Sequence, residues 1–313
     1  MALKNFTEDE NHKTVEELFC SAELVRGVDD ELIFVSALHS FLSITAFLGN
    51  TLILAALRKE TSLHPPSKLL YRNLAITDLC VGIIAEPFYV TYLTSVVNER
   101  WDICSYAYWA VTYSGLTLCT VSLLTLTAIS VDRLLALLLG LRYRQVVTYR
   151  RTCITATGFW ILSIVGASST LFWNRRMTSW FQYTVTALGL VTTIFAYGKI
   201  FVTLRHNQIH VQSHAAQGQP SQPIPVNIAR YRKAVYSALW VQGALAICYL
   251  PYNIAVFLTP QRGMPLSIYL ARSSTAGMVF VNSSLNPLLY CWKIREVRQP
   301  VRETLRQLFC RSS

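Results

Sequence analysis

Polar side chains interrupt the last long apolar stretch of the sequence. Between Asn282 and Tyr290 the chain carries amides, hydroxyls, a proline and a phenol in otherwise apolar surroundings. Polar groups are costly in hydrocarbon and generally have a functional role there. Pro287 removes a backbone donor and frees a carbonyl, which polar side chains or water must then satisfy. The pattern predicts a bent, hydrated membrane helix that can adopt two arrangements.

Other apolar stretches carry a carboxylate and neutral oxygens that can meet at the same depth. An isolated carboxylate in hydrocarbon must be protonated or paired with a cation, and hydroxyl and amide oxygens suit a hard cation such as sodium. The alternative is that these groups only join helices by hydrogen bonds, each worth about 0.6 kcal/mol. The polar residues that could converge in this way are Asn50, Asn73, Thr77, Asp78, Ser122, Asn282, Ser283 and Asn286.

The elements that must position these groups are membrane helices. The chain has 313 residues, of which 52% are apolar and 14% are charged, whereas soluble domains carry about 25% charged residues. Apolar stretches long enough to span a bilayer occur at about residues 31–57, 69–97, 103–135, 153–173, 179–204, 230–258 and 265–292. This pattern predicts an all-α membrane protein, a seven-transmembrane helix bundle over residues 31–292. The segment 206–229, rich in Gln, His, Ser and Pro, predicts a flexible loop.

The distribution of charge predicts the orientation of the chain. Residues 1–31 carry nine acidic and three basic residues, and most Lys and Arg residues lie in segments on the opposite side of the predicted membrane. We therefore expect residues 1–30 to form an extracellular tail at the plasma membrane, with the C-terminus in the cytosol. The net charge of +11 then suits anionic lipid headgroups rather than nucleic acid.

Both ends of the chain carry candidate modification sites. Asn5 begins an Asn-Phe-Thr glycosylation sequon in the outer tail. Within residues 293–313, apolar residues at helical spacing alternate with arginines, which predicts a short amphipathic eighth helix on the inner membrane surface. Cys310 follows this helix and is either a palmitoylation site or an unmodified cytosolic thiol.

Three motifs together resemble those of rhodopsin-like, or class A, G protein-coupled receptors. They are Asp132-Arg133, Cys248-Tyr249-Leu250-Pro251 and Asn286-Pro287-Leu288-Leu289-Tyr290. The sequence is most similar in character to the melanocortin, adenosine and cannabinoid receptors, because it has a short second outer loop, Tyr108 in place of a disulfide cysteine and Gly189 in place of a proline.

The resemblance implies roles for the switch residues. Asp132 would restrain Arg133 at rest, and Arg133 would meet the G protein when the helices separate. Tyr197 and Tyr290 would steady the arginine in the active state, and Tyr249 stands in place of the tryptophan toggle. The full switch set is Asp132, Arg133, Tyr197, Tyr249, Pro251, Asn286, Pro287 and Tyr290. The resemblance also implies a candidate sodium pocket, because it matches five residues to the sodium-linked pocket of the family: Asp78, Ser122, Asn282, Ser283 and Asn286.

The sequence departs from the family pattern at several positions. Leu134 replaces a tyrosine, Gly140 replaces a proline, and Tyr231 replaces an acid that often ties the arginine at rest. The loss of that tie can raise ligand-independent activity. Cys20 and Cys104 are the only predicted extracellular cysteines, and they can pair with each other.

The resemblance also implies a ligand site between the outer halves of the helices. Gly115 replaces the aspartate of amine receptors, which argues against a biogenic amine, and Phe280 replaces the lysine that binds retinal. Glu86 can pair with a cationic ligand, and Arg272 can pair with an anionic ligand or with Glu86 itself. Ordinary helix packing is an equal alternative for the apolar members of the set. The candidate residues are Glu86, Gly115, Leu116, Cys119, Tyr252, Asn253, Arg272, Ala276 and Phe280.

The resulting hypothesis is a receptor and not an enzyme. It would transduce an extracellular ligand signal, from a small molecule or peptide, to heterotrimeric G proteins through outward movement of the sixth helix, with arrestin as a further partner. The alternative is a non-coupling decoy or scaffold receptor, which the departures from the family pattern leave open. A transporter would predict repeated halves with discontinuous helices, and an enzyme would predict catalytic or nucleotide-binding spacing, and the sequence has neither.

Overall fold

The protein is built from long helices. The computed structural model describes residues 19–21, 27–61, 63–172, 175–216, 243, 245–259 and 265–293, which contain helices and no strand. The main helices are α1 (Asp29–Lys59), α2 (Pro65–Val97), α3 (Trp101–Leu139), α4 (Tyr149–Phe172), α5 (Arg175–Ala216), α6 (Leu245–Phe257) and α7 (Leu266–Lys293). A short helix, Tyr143–Val146, lies between α3 and α4. The all-α prediction is confirmed.

Five of the described helices have the length and apolar composition of membrane spans. Each of α1 to α5 contains a stretch that is long and apolar enough to cross a membrane, and the described part of α6 is a shorter apolar helix. The 28 residues of α7 extend over about 42 Å at 1.5 Å per residue, more than the hydrocarbon core requires. Large apolar side chains such as Phe34, Ile161 and Phe195 are exposed, as expected of a lipid-facing surface.

The helix ends follow from local sequence. The first turn of α1 contains three acidic residues and its last turn contains Arg58 and Lys59, which complements the helix dipole. Two prolines occupy the first positions of α2, where a missing N–H costs nothing. At the end of α3, Gly140 has a φ of 50°, a conformation that glycine adopts without a steric penalty.

The bundle packs around α3, which contacts α2, α4 and α5, while α1 packs against α2 and α7. Gly49 of α1 faces Pro287 of α7 so closely that a Cβ would lie 2.9 Å from the proline Cγ. Gly189 of α5 similarly lies against Thr127 of α3, where a Cβ would lie 3.2 Å from Oγ1. These glycines allow close helix approach, as small residues do in membranes.

Two features of the helices differ from the sequence expectations. α5 continues to Ala216, so the prediction of a flexible loop from residue 206 is wrong for its first part. No Gly or Pro occurs between residue 206 and Gly218, so the sequence there does not end the helix. Within α2, Val81–Ala85 forms a π-helical turn, which no pattern predicted. Ser43 of α1 donates a hydrogen bond to the Gly82 carbonyl at 2.7 Å, which satisfies a backbone acceptor at this turn.

Candidate functional site

A buried carboxylate is held by three donors between α2, α3 and α7. Asp78 is fully buried and accepts hydrogen bonds at Oδ1 from Ser122, at 3.1 Å, and from Ser283, at 2.8 Å. Its Oδ2 accepts from Nδ2 of Asn286 at 2.7 Å. The structure therefore brings together four of the five residues of the candidate sodium pocket.

The chemistry of this cluster fits a small hard cation. Asp78, Ser122 and Ser283 contribute oxygens, and the buried Oδ1 of Asn286 has no hydrogen-bond partner among the described residues. An unpartnered amide oxygen beside a carboxylate is a suitable ligand for sodium. The fifth residue, Asn282, is also buried, and its Nδ2 has no partner in the described part of the chain. A bound ion would be held by the oxygens of Asp78, Ser122, Ser283 and Asn286.

Polar side chains around the cluster join further helices. Asn50 of α1 donates to the Ser283 carbonyl of α7 at 3.1 Å. Asn73 of α2 donates to Oγ1 of Thr125 at 2.8 Å and accepts from Nε1 of Trp160 at 3.0 Å, so it links α2, α3 and α4. Both asparagines hold helices together, and their hydrogen bonds among the described residues do not go to Asp78.

The second polar site surrounds Asp132 at the end of α3. Its Oδ2 accepts from Nη2 of Arg133 at 2.9 Å and from Ser67 of α2 at 2.8 Å. Its Oδ1 accepts from the Tyr143 hydroxyl at 2.6 Å. The Arg133 guanidinium also lies 5.9 Å from the centre of the Tyr71 ring, which allows a cation–π contact. The side chain of Asp132 is 4% exposed and that of Arg133 is 38% exposed, so the carboxylate is buried and the guanidinium reaches the surface.

The remaining switch residues are placed as follows. The hydroxyl of Tyr197 in α5 accepts from Ser130 at 3.1 Å. The hydroxyl of Tyr249 in α6 donates to the Cys119 carbonyl of α3 at 3.2 Å. A tryptophan at this position has no hydroxyl to make this bond. Pro251 lies in α6, and Pro287 lies inside α7. The side chain of Tyr290 and the whole of Tyr231, Asn5, Cys310 and the eighth helix lie outside the described residues.

A cavity with a volume of about 160 Å³ opens between the helices at the end of the bundle that includes Phe19. Its walls are largely aromatic, and its floor includes Tyr249 and Cys119. Eight of the nine candidate ligand residues line it. They are Gly115, Leu116, Cys119, Tyr252, Asn253, Arg272, Ala276 and Phe280.

Glu86 is the ninth candidate, and the structure places it away from the cavity wall. Its Oε2 lies 2.5 Å from Nδ1 of His39 in α1, and the two side chains are 1% and 0% exposed. The imidazole and the carboxyl group share this hydrogen bond, so the expectation that Glu86 faces a ligand or Arg272 does not match this geometry. His39 was not among the sequence candidates. An ionisable residue in an apolar span was the signal that could have identified it.

Phe19, in the described segment 19–21, lines the cavity. Cys20 and Cys104 form a disulfide in the structure, which ties this segment to the start of α3. Phe19 stacks on the Tyr108 ring with centroids 4.6 Å apart, and its backbone carbonyl accepts from the Tyr92 hydroxyl at 3.2 Å. The guanidinium of Arg272 lies 4.6 Å from the centre of the Phe19 ring. Phe19 is therefore a cavity residue that the sequence alone did not indicate.

Comparisons with known proteins point to one family. The model of the family described as "7 transmembrane receptor (rhodopsin family)" matches residues 49–187. The 5-hydroxytryptamine receptor 1D of Canis lupus familiaris is 24% identical, over 85% of this chain and 87% of the relative. The histamine H2 receptor of Homo sapiens is 28% identical, over 89% and 80%. The adenosine receptor A2a of Cavia porcellus is 27% identical, over 85% and 71%.

The fold also matches a solved structure. The crystal structure of squid rhodopsin superimposes with a TM-score of 0.71 over 90% of this chain and 87% of that chain, at 17% sequence identity. The similarity in fold thus extends well beyond the similarity in sequence. An adenosine receptor is among the relatives, as the expected cluster implies, but amine receptors of comparable identity stand beside it.

Proposed function

Since the chain belongs to the rhodopsin-like, or class A, family of G protein-coupled receptors, we propose that it transduces an extracellular ligand signal to heterotrimeric G proteins. The proposal includes a plasma-membrane location with the N-terminus outside, and outward movement of α6 as the activating step. The observation that carries it is the contact between Asp132 and Arg133 at the cytosolic end of α3.

The surroundings of Asp132 suit a reversible latch. Breaking a buried ion pair is costly when it leaves a charge without partners. Here Asp132 keeps hydrogen bonds from Ser67 and Tyr143 after Arg133 leaves, so the carboxylate stays satisfied. The partly exposed Arg133 needs only a short movement to reach a protein bound at the cytosolic surface. These contacts lower the cost of opening without removing the restraint at rest.

A ligand in the outer cavity can act on this latch through α3 and α6. The Tyr249 hydroxyl bonds the Cys119 carbonyl across these two helices, at the floor of the cavity. A ligand that favours the arrangement with this contact broken shifts the equilibrium toward an outward α6. A sodium ion held around Asp78 would favour the closed arrangement, because that cluster joins α2, α3 and α7.

The expected partners follow from the same assignment. The relatives are named as receptors for 5-hydroxytryptamine, histamine and adenosine, and we infer a small molecule or peptide ligand for this receptor. Gly115 offers no carboxylate to an amine in the cavity. Arrestin is proposed as a second cytosolic partner, and membrane lipid surrounds the bundle.

The test uses variants of the latch, because no ligand is needed to open it. Asp132→Asn weakens the hold on Arg133 and should raise ligand-free G protein dissociation, measured across a panel of G protein classes in cells with matched surface expression. Adding Arg133→Ala should abolish the gain. Arg58→Ala, at the exposed cytosolic end of α1, is the matched control and should leave the signal unchanged.

The outcomes separate the two candidate functions. A gain with Asp132→Asn that depends on Arg133 supports coupling and identifies the G protein class. If Asp132→Asn reaches the surface and activates no G protein in the panel, the proposal fails and the non-coupling decoy or scaffold becomes the better assignment.

A further inference from the structure

The outer cavity contains a guanidinium whose charge is not matched by an acid among the described residues. Among the described residues that line the cavity, Arg272 is the one with a charged side chain. Its Nη1 is buried and has no hydrogen-bond partner in the described part of the chain. Its described neighbours include the Phe19 ring and the cavity tyrosines. The side chain of Arg272 as a whole is partly buried. A partly buried charge without a counter-ion is destabilising, so an anion bound here would be favourable.

Glu86 cannot serve as this partner in the structure. Its carboxylate is bonded to Nδ1 of His39 and is almost fully buried on the side of α1. Within the described residues, the two ion pairs are His39 with Glu86 and Arg133 with Asp132. Neither involves Arg272.

Several tyrosines near Arg272 have other hydrogen-bond partners. Tyr89 donates to the Ser273 carbonyl at 3.1 Å, and the Tyr92 and Tyr269 hydroxyls lie 3.2 Å apart. The rings of Tyr89 and Tyr92 line the cavity together with other aromatic side chains, and this aromatic wall accommodates a cation without neutralising it. The cavity therefore combines apolar walls with one unsatisfied cationic group.

We propose that the cavity binds a carboxylate, paired with Arg272, whose apolar body lies against the aromatic wall. The inference rests on the proposed receptor function and adds the chemical class of its ligand. A planar guanidinium matches the two oxygens of a carboxylate in a forked arrangement. The cavity volume of about 160 Å³ resembles that of a cavity of about 150 Å³ that holds benzene, so the body that fits this arrangement is about the size of one aromatic ring.

The carboxylate has two sources that share this chemistry. One is a free aryl-alkyl carboxylic acid from outside the cell. The other is the chain itself, because Glu16 and Glu17 precede Phe19 in the sequence, and Phe19 contacts the Arg272 guanidinium. In the second case the receptor would carry its own tethered anion.

The experiment measures the thermal stability of the purified full-length chain, which requires no G protein. The probes are 3-phenylpropanoate and phenylacetate at millimolar concentration, each compared with its neutral amide. The acids should raise Tm by several degrees and the amides should not, and Arg272→Gln should weaken the response to acid by about tenfold or more, since a charge-assisted pair is lost. Arg272→Lys keeps the positive charge but lacks the two parallel N–H donors of the guanidinium, and it should retain part of the rise in Tm caused by the acids.

A double variant, Glu16→Gln/Glu17→Gln, separates the two sources. If the tethered segment occupies Arg272, this variant lowers ligand-free Tm and binds the acids more tightly than the wild type. If the ligand is free, the double variant behaves as the wild type and both respond to the acids. Both results support the carboxylate site.

The proposal is overturned if acids and amides act alike in the wild type and in the double variant. A further check uses Arg272→Met in the ligand-free chain. If the ligand is free, Arg272→Met removes a charge that has no partner and should not lower Tm. If Glu16 or Glu17 supplies the partner, both Arg272→Met and Glu16→Gln/Glu17→Gln should lower Tm. A fall in Tm with Arg272→Met but not with the double variant would mean that Arg272 has a structural role, which also overturns the proposal. None of these outcomes affects the latch test, so failure of one proposal is distinguishable from failure of the other.

Discussion

Two arginines at opposite ends of the bundle differ in their counter-ions. Arg133 donates to Asp132 at 2.9 Å, and that carboxylate is further held by Ser67 and Tyr143. Arg272 stacks on Phe19 and has no acidic partner within the described residues. An arginine with a counter-ion can restrain a helix, whereas an arginine without one has its charge available to an incoming anion. The difference supports the two proposed roles, which are a latch formed by Arg133 with Asp132 and a binding site for an anion at Arg272.

The largest effect should come from removing the disulfide that holds Phe19 next to Arg272. The disulfide of Cys20 and Cys104 closes a loop with a sequence separation of 84, so its loss should cost about 4.5 kcal/mol of stability. Cys20→Ser, Cys104→Ser and the double variant should lose surface expression and thermal stability equally. The latch signal per surface receptor should persist, because Asp132 lies at the other end of α3. Unequal losses in the single variants would reject the shared bond.

The next effect concerns Glu86, which is paired with His39 and not with Arg272. His39→Leu leaves Glu86 buried without its partner, which should lower the free energy of unfolding by about 3 kcal/mol. The double variant His39→Leu/Glu86→Leu should recover most of this loss in thermal unfolding. If the single variant is as stable as the wild type and loses its response to carboxylates, Glu86 has turned to Arg272, and the difference between the two arginines depends on His39 alone.

A smaller effect should arise at the polar cluster between the two arginines. At a sodium concentration about tenfold above Kd, exchange of potassium for sodium should stabilise the purified chain by about 1.4 kcal/mol. Asp78→Asn should remove this difference, because the carboxylate is the one charged oxygen donor of the described cluster. Asp102→Asn, at an exposed position of α3, should retain it. Sodium stabilisation that persists in Asp78→Asn would contradict the ion site.

The smallest effect should come from one hydroxyl at the latch. Tyr143→Phe removes the donor 2.6 Å from Asp132 and leaves the carboxylate less satisfied once Arg133 departs. The loss of about 1 kcal/mol should lower ligand-free G protein dissociation about fivefold. Tyr106→Phe, at an exposed tyrosine, is the matched control. A rise in basal signal would show instead that Tyr143 restrains the arginine.

Much of the fold could be predicted because membrane helices are encoded locally. Apolar stretches of sufficient length predicted α1 to α5 and α7 within a few residues at most ends. The errors lie where length and composition carry no information. The extension of α5 to Ala216 has a polar sequence, and such a sequence has no apolar pattern that distinguishes a helix from a loop. The π turn at Val81–Ala85 depends on how α2 fits against α1.

The candidate sites were only partly predictable. Asp78 and Asp132 could be identified because a carboxylate in an apolar span is costly and therefore conspicuous. Their partners differ in this respect. Ser67 and Tyr143 are ordinary polar residues near helix ends, and nothing in their spacing indicates that both reach Asp132. The pairing of His39 with Glu86 joins residues 47 positions apart and depends on how α1 packs against α2.

By itself, the sequence determined that the chain forms apolar helices and which of them carry charged groups, because hydrophobicity and backbone hydrogen bonding act within each segment. Only the tertiary structure decided which charges are matched. Electrostatic pairing requires contact within a few ångströms between distant segments, and that contact is set by helix packing and by the disulfide that brings Phe19 over Arg272. The assignment of one arginine as a latch and the other as a binding group is therefore a property of the folded bundle.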